Sequence, residues 1–132
     1  MDHLVFVYGS LREGEQNHHF LRGAVRVARR ARVHGRLYDT GEGYPAMIPD
    51  ETAWTQGEVY RVDDQALNRI DWLEDYHGEG RDNLYNRRVM RVETEVGPLE
   101  AFVYVYADED AARMMREVPN GDWGHRRGRI DR

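Results

Sequence analysis

Among 132 residues the chain has no cysteine and no lysine, and only four prolines. Without cysteine there is no disulfide framework, thiolate-bound zinc, iron–sulfur cluster or thiol nucleophile. Without lysine there is no Schiff base and no phosphate-loop ammonium. Long apolar runs are also missing. The opening run, Leu4 to Tyr8, falls far short of the ~20 residues that cross a bilayer. It follows an acidic rather than basic start, Met1-Asp2-His3, so no targeting signal is read and the chain is expected to be cytoplasmic, without membrane association. The 19 basic residues are all arginine and are outnumbered by 24 acids, a net charge of −5 that disfavours wholesale nucleic-acid binding.

What is present describes a globular protein: 40% hydrophobic and 33% charged residues, with eight Tyr, three Trp and three Phe. The length suits one domain over residues 1–132, with 119–132 as a C-terminal tail. Charge is uneven. The first 36 residues carry seven Arg against Asp2, Glu13 and Glu15, a local +4, and the remainder carries −9. A basic first quarter fits either an anionic partner or the wet face of a strand.

Leu4-Val5-Phe6-Val7-Tyr8, bounded by Gly9-Ser10, reads as a buried strand ending in a turn. Asn17 to Arg22 suits a short helix. From Ala24 to Leu37, Val25, Val27, Ala31, Val33 and Leu37 share one parity and Arg26, Arg30, Arg32, His34 and Arg36 the other, the signature of a strand with one apolar face. Arg29 breaks the alternation and marks a candidate bulge. Tyr44 to Pro49 reads as an extended segment interrupted by prolines, and Thr55 to Val62 as a separate strand. Asp63-Asp64 caps a helix to about Asp75. Asn83 to Val96 and Leu99 to Ala107 form a hairpin about Gly97-Pro98. Asp108 to Glu117 is a weak helix whose Met114 and Met115 are expected to pack down. About six strands and two or three short helices make an α+β domain, a small mixed, largely antiparallel β-barrel.

Two segments carry candidate chemistry. On the helix from Asp64, Ala66, Leu67, Ile70 and Leu73 form an apolar stripe, and Glu74 falls on it. A carboxyl aimed at an apolar interior loses hydration and its pKa rises, which suits a group that both takes and gives a proton. The alternative is that Glu74, at the helix end, turns outward. The second segment is Tyr8-Gly9-Ser10-Leu11-Arg12-Glu13-Gly14, a turn able to present successive N–H groups to an anion. Glu15-Gln16 stand where a phosphate loop needs Lys and Ser/Thr, and Arg12 stands where a nucleophile elbow needs Gly, so both motifs fail and Ser10 can equally be an ordinary turn residue. His18 and His19 are adjacent, and His3, His34, His77 and His125 lack ligand spacing, so no metal is expected. His77 stands three residues past Glu74, within reach of tuning it. Tyr85 and Arg87 fit either a core edge or a pocket.

In order along the chain, these segments resemble the gamma-glutamylcyclotransferase-like family, closest to gamma-glutamylamine cyclotransferases and their small bacterial relatives. The resemblance rests on Phe6-Val7-Tyr8-Gly9-Ser10-Leu11-Arg12 with Gly14 and Asn17, on Tyr44-Pro45-Ala46, and on Gly57-Glu58-Val59-Tyr60-Arg61-Val62-Asp63. It continues through Ile70-Asp71-Trp72-Leu73-Glu74-Asp75-Tyr76, Leu84-Tyr85-Asn86-Arg87, Phe102-Val103-Tyr104 and Gly121-Asp122-Trp123. The segment His77 to Leu84 is longer than in many relatives and is expected to border the site and shape the subsite for the leaving amine.

The resemblance implies a cofactor-independent reaction in which a gamma-glutamyl compound's own α-amine attacks its γ-carbonyl, releasing 5-oxoproline and a free amine. It implies Glu74 as general acid and base, the N–H groups of Gly9, Ser10 and Leu11 on the substrate's α-carboxylate, Tyr8 beside them, and Tyr85 orienting Glu74 or the substrate. A nucleophile carried by the substrate fits a chain without cysteine or lysine. The other reading keeps the fold and pocket without turnover, as a binder of small carboxylates or amines. Oligomeric state is not legible in the sequence.

Overall fold

In the computed structural model, residues 1–125 are described; the basic run from Arg126 to Arg129 lies outside them. Strands β1 (His3–Val7), β2 (Val25–Asp39), β3 (Pro45–Val62), β4 (Tyr85–Thr94), β5 (Leu99–Tyr106) and β6 (Arg116–Glu117) form one sheet, with helix α1 (Asp64–Leu73) and the short α2 (Glu109–Arg113) outside it. The strand order β3-β1-β5-β4-β2 closes on itself through a β2–β3 pairing, giving a five-stranded barrel with β6 attached to the end of β2. Among the described residues only β1 and β5 pair in parallel. The expected mixed barrel is thus realised.

Alternation along the strands divides most of the apolar residues between two larger cores, with a third, smaller cluster under α2. Phe6, Val33, Leu37, Met47, Val59, Val92, Val103 and Trp123 fill the barrel. Val5, Val7, Tyr60, Val62 and Tyr104 face outward, against Ala66, Leu67 and Ile70 of α1. Asp63 caps that helix, its side chain accepting the Ala66 N–H at 2.8 Å. No helix among the described residues is long and apolar enough to cross a membrane.

Three local expectations are corrected. The segment from Tyr44 and the strand from Thr55 are parts of one strand, β3. Pro45 begins it, and Pro49 sits where the register jumps from Gly35↔Pro49 to His34↔Trp54, so residues 50–53 loop out and neither proline costs a ladder hydrogen bond within the strand interior. In β2, Ala31, Val33 and Leu37 point inward as expected, but Val25 is 53% exposed and Ala28 is buried. The register shift between Ala28 and Ala31 reverses the parity across Arg29-Arg30, bringing both alanines inward, so the bulge at Arg29 is real. Its spare amides, Arg29 N–H and Arg30 N–H, both donate to the Glu95 carboxylate, at 2.8 and 3.0 Å. Finally, α2 ends at Arg113 because the chain turns into β6. Met114 is left 88% exposed and only Met115 packs, against the Tyr38, Ala46, Ile48 and Ala112 cluster.

The tail is fastened by Gly121-Asp122-Trp123. Trp123 is buried in the barrel, and Gly121 (φ +62°) lies so close to β3 that a Cβ there would be 2.0 Å from the Trp54 carbonyl oxygen. Gly121→Ala is therefore expected to lose about 2 kcal/mol or more of stability, from a left-handed conformation and a backbone clash together. A denaturant midpoint equal to that of the parent would contradict this.

Candidate active site

Where β1 leaves the barrel, a cleft opens between the Gly9–Leu11 turn, Tyr44-Pro45 at the start of β3, Glu74 at the end of α1, and Tyr85 and Tyr104. All the site residues expected from the sequence (Tyr8, Gly9, Ser10, Leu11, Glu74 and Tyr85) line it together.

The turn has a marked asymmetry. The Gly9 carbonyl accepts from Arg12 N–H (3.0 Å), and the Ser10 carbonyl from Asn17 N–H (2.8 Å). The Leu11 carbonyl accepts from His18 Nδ1 at 2.9 Å, and Asn17 Nδ2 also donates to Ser10 Oγ at 2.9 Å. All three carbonyls are thus tied down, while the N–H groups of Gly9, Ser10 and Leu11 meet no acceptor among the described residues. In a trans peptide the N–H lies opposite the carbonyl of the preceding residue, so anchoring the Gly9 and Ser10 carbonyls fixes the direction of the Ser10 and Leu11 N–H groups.

Glu74 is held by the way α1 ends. Asp75 adopts φ +56°, Tyr76 N–H donates to the Asp71 carbonyl (2.9 Å) and Asp75 N–H to the Trp72 carbonyl (3.2 Å). This is a Schellman ending with aspartate where glycine is usual, and it stops the helix while Glu74 still faces the apolar side. Among the described residues nothing donates to its carboxylate. Burial, and then the negative charge of Asp71, push its pKa up to about 8.

The tyrosines around it are walls with occupied hydroxyls. Tyr8 OH donates to the Tyr104 carbonyl and Tyr85 OH to the Pro45 carbonyl. Burial, aided by the charge of Glu74, raises the pKa of both, so they stay neutral. Tyr85 therefore makes no hydrogen bond to Glu74; it fixes the peptide of Pro45.

Sequence reasoning passed over Asp71, although a carboxylate three residues before Glu74 on one helix was a usable signal. Asp71 accepts from Tyr104 OH and, at 2.6 Å, from Arg87 Nη1. Arg87 itself does not line the cleft: it lies over the rings of Phe102 (4.4 Å) and Tyr76 (5.1 Å) and reaches Glu74 only through Asp71. Tyr44, Pro45 and Tyr104 were likewise not assigned to the site. The His77 ring pairs with Asp75 at the surface. The loop after Tyr76 does not line the cleft either; Glu79, Gly80 and Arg81 border a separate groove with Tyr76 and Arg88. Asn83 ties that loop down, accepting the His77 N–H at 2.7 Å and donating to the Gly78 carbonyl at 2.9 Å. Among the described residues no group of three or more His, Asp or Glu is placed to hold a metal ion.

Residues 5–125 match the family described as gamma-glutamyl cyclotransferase, AIG2-like. A gamma-L-glutamyl-butirosin B gamma-glutamyl cyclotransferase from Niallia circulans is 42% identical over 107 residues, which are 80% of this chain and 68% of that protein. The gamma-glutamylcyclotransferase family protein YtfP of Escherichia coli K12 is 32% identical over 90% of this chain and 94% of its own. Among solved structures, YkqA from Bacillus subtilis superposes with a TM-score of 0.75 at 30% identity, covering 95% of this chain but 41% of that longer protein. The chain belongs to the gamma-glutamyl cyclotransferase, AIG2-like family and is an enzyme of that type.

Proposed function

We propose that the protein converts a gamma-glutamyl amine or amide to 5-oxoproline and a free amine, with Glu74 as the proton shuttle. The observation that carries this reading is a carboxyl that, among the described residues, has no hydrogen-bond partner, its pKa raised to about 8, in the same cleft as three backbone N–H groups that no described residue claims. The substrate's α-carboxylate fits the amides of Gly9, Ser10 and Leu11, which would hold the glutamyl backbone folded. Closure of a five-membered ring is intramolecular, and correct folding of such a substrate contributes on the order of 7–11 kcal/mol in favourable cases. Glu74 would accept a proton from the α-ammonium as the amine attacks the γ-carbonyl and deliver it to the departing nitrogen as the C–N bond breaks; the second proton shed by the attacking nitrogen as it becomes the lactam N–H leaves with the product amine as its ammonium. Carboxyl pKa values near neutrality serve both steps; an ordinary carboxylate would be a poor acid for the second.

The test is direct: incubation with gamma-glutamyl amines, peptides and amino acids, assayed for 5-oxoproline. Product from at least one is expected, and none from any overturns the reading. Asp71 supplies a second check. Asp71→Asn removes a negative charge beside Glu74 and releases Arg87 from its ion pair, and both changes favour the Glu74 carboxylate. The acid limb of the kcat/KM profile is expected to move down by roughly one pH unit. A limb that stays in place would detach it from Glu74.

A further inference from the structure

Arg12 follows the Gly9–Leu11 amides directly, and two carboxylates from distant parts of the chain converge on it. Glu58 of β3 is only 5% exposed. Its Oε2 accepts from Arg12 Nε at 3.0 Å, and its Oε1 from Glu13 N–H at 3.1 Å and Tyr60 OH at 2.9 Å. Arg12 Nη1 donates to Asp122 Oδ1 at 2.7 Å, and the same oxygen accepts the Gly124 N–H at 3.0 Å. Asp122 is itself held on both sides, by Trp123 in the barrel core and by Gly121 against the Trp54 backbone. No step of the proposed reaction uses this network.

Largely buried ion pairs add little net stability over apolar packing, because desolvation offsets attraction. What two carboxylates on different nitrogens of one guanidinium do supply is a fixed plane and direction. Arg12 passes that constraint on, since its own N–H closes the turn onto the Gly9 carbonyl at 3.0 Å.

We propose that Asp122 is a positioning residue: acting through Arg12 and Glu58, the C-terminal segment fixes the Gly9–Leu11 amides and so sets affinity for the substrate's α-carboxylate without touching it. This rests on the cyclotransferase reading of the cleft. The sign of the effect separates positioning from bulk electrostatics. Removing a carboxylate near an anion site would, by charge alone, tighten the anion; loosening the amides weakens it.

The experiment measures kcat and KM for Asp122→Ala and Asp122→Asn with a gamma-glutamyl compound the parent turns over, and calorimetric affinity for 5-oxoproline, which carries the same carboxylate. In Asp122→Ala, KM and the 5-oxoproline Kd are expected to rise about tenfold while kcat changes less than about twofold. Asp122→Asn, which keeps an acceptor for both N–H donors, is expected to recover part of the loss, with a rise of about threefold. Should the alanine variant not fold, the asparagine variant carries the test. Unchanged or lowered KM and Kd, or a loss confined to kcat, overturns the proposal while leaving the reaction in place. A parent that neither turns over a gamma-glutamyl compound nor binds 5-oxoproline overturns both. Without turnover but with 5-oxoproline binding, the reaction alone falls and the Kd values decide the clamp.

Discussion

Glu74→Gln is expected to reduce kcat by about 10³-fold while KM or substrate Kd changes only a few-fold. Glutamine keeps the size of the side chain and disturbs no hydrogen bond, since the carboxylate receives none from the described residues. What it removes is the only group among the described residues of the cleft whose pKa lies near neutrality; Tyr8, Tyr85 and Tyr104 are all pushed upward by burial and cannot take its place as bases. In the parent, kcat/KM should climb with pH along a limb near 8, the value of Glu74 in the empty cleft. The substrate's ammonium favours the carboxylate, so the limb of kcat should lie lower. A glutamine variant that turns over like the parent removes Glu74 from the mechanism.

The same substitution should stabilise the protein at high pH. The folded-state pKa of about 8 exceeds the ordinary 4.5, so between those values the folded form holds a proton that the unfolded form has released. Stability therefore falls as pH rises through that window, and the Glu74→Gln variant would lack the fall. Below it, parent and variant should unfold alike; by about pH 9 the variant should be ahead by on the order of 3 kcal/mol, a figure reduced from the full linkage because the carboxyl still opens to the cleft. Urea titrations at both ends of the range measure the difference. A gap that does not grow with pH would mean that Glu74 is an ordinary solvated carboxylate. Activity and stability pull in opposite directions at this residue, as expected where a charge is kept in a dry place for its chemistry.

The parts of this site that were legible in the sequence are those that depend on neighbours in the chain. The phase of α1 put Glu74 on the apolar stripe, and the glycine turn after β1 announced a place where backbone N–H groups become available. Less legible was everything fixed by distant partners. Whether Glu74 turned inward depended on an aspartate taking φ +56° at position 75, a role the sequence would signal only with glycine. Which amides of the turn are unclaimed depended on Asn17 and His18 binding its carbonyls. The bulge in β2 was readable from Arg29, but what holds it was not, because the carboxylate that takes the bulged amides, Glu95, comes from just beyond β4. Prolines misled in β3 for the same reason: their tolerance follows from a register jump that only the partner strand defines.

Gly9→Ala is expected to lower kcat/KM by about 10²-fold with a far smaller effect on folding. Gly9 does not need glycine for its backbone angles; what it needs is space. A Cβ there would lie 2.7 Å from Pro45 Cγ and 2.8 Å from Cδ. The proline ring cannot swing aside as a flexible side chain would, and its peptide is fixed by Tyr85 OH on the carbonyl. With Pro45 held, the turn must give way, and its displacement shifts the amides relative to Glu74. Overpacking of this kind costs roughly 1–3 kcal/mol when buried throughout, and less where one side opens to solvent as here. The cause can be isolated by removing the ring: in a Pro45→Ala background the extra methyl meets no proline carbons, so Gly9→Ala should cost much less activity there than in the parent. Equal losses in both backgrounds would show that the contact with Pro45 is not what requires glycine at position 9.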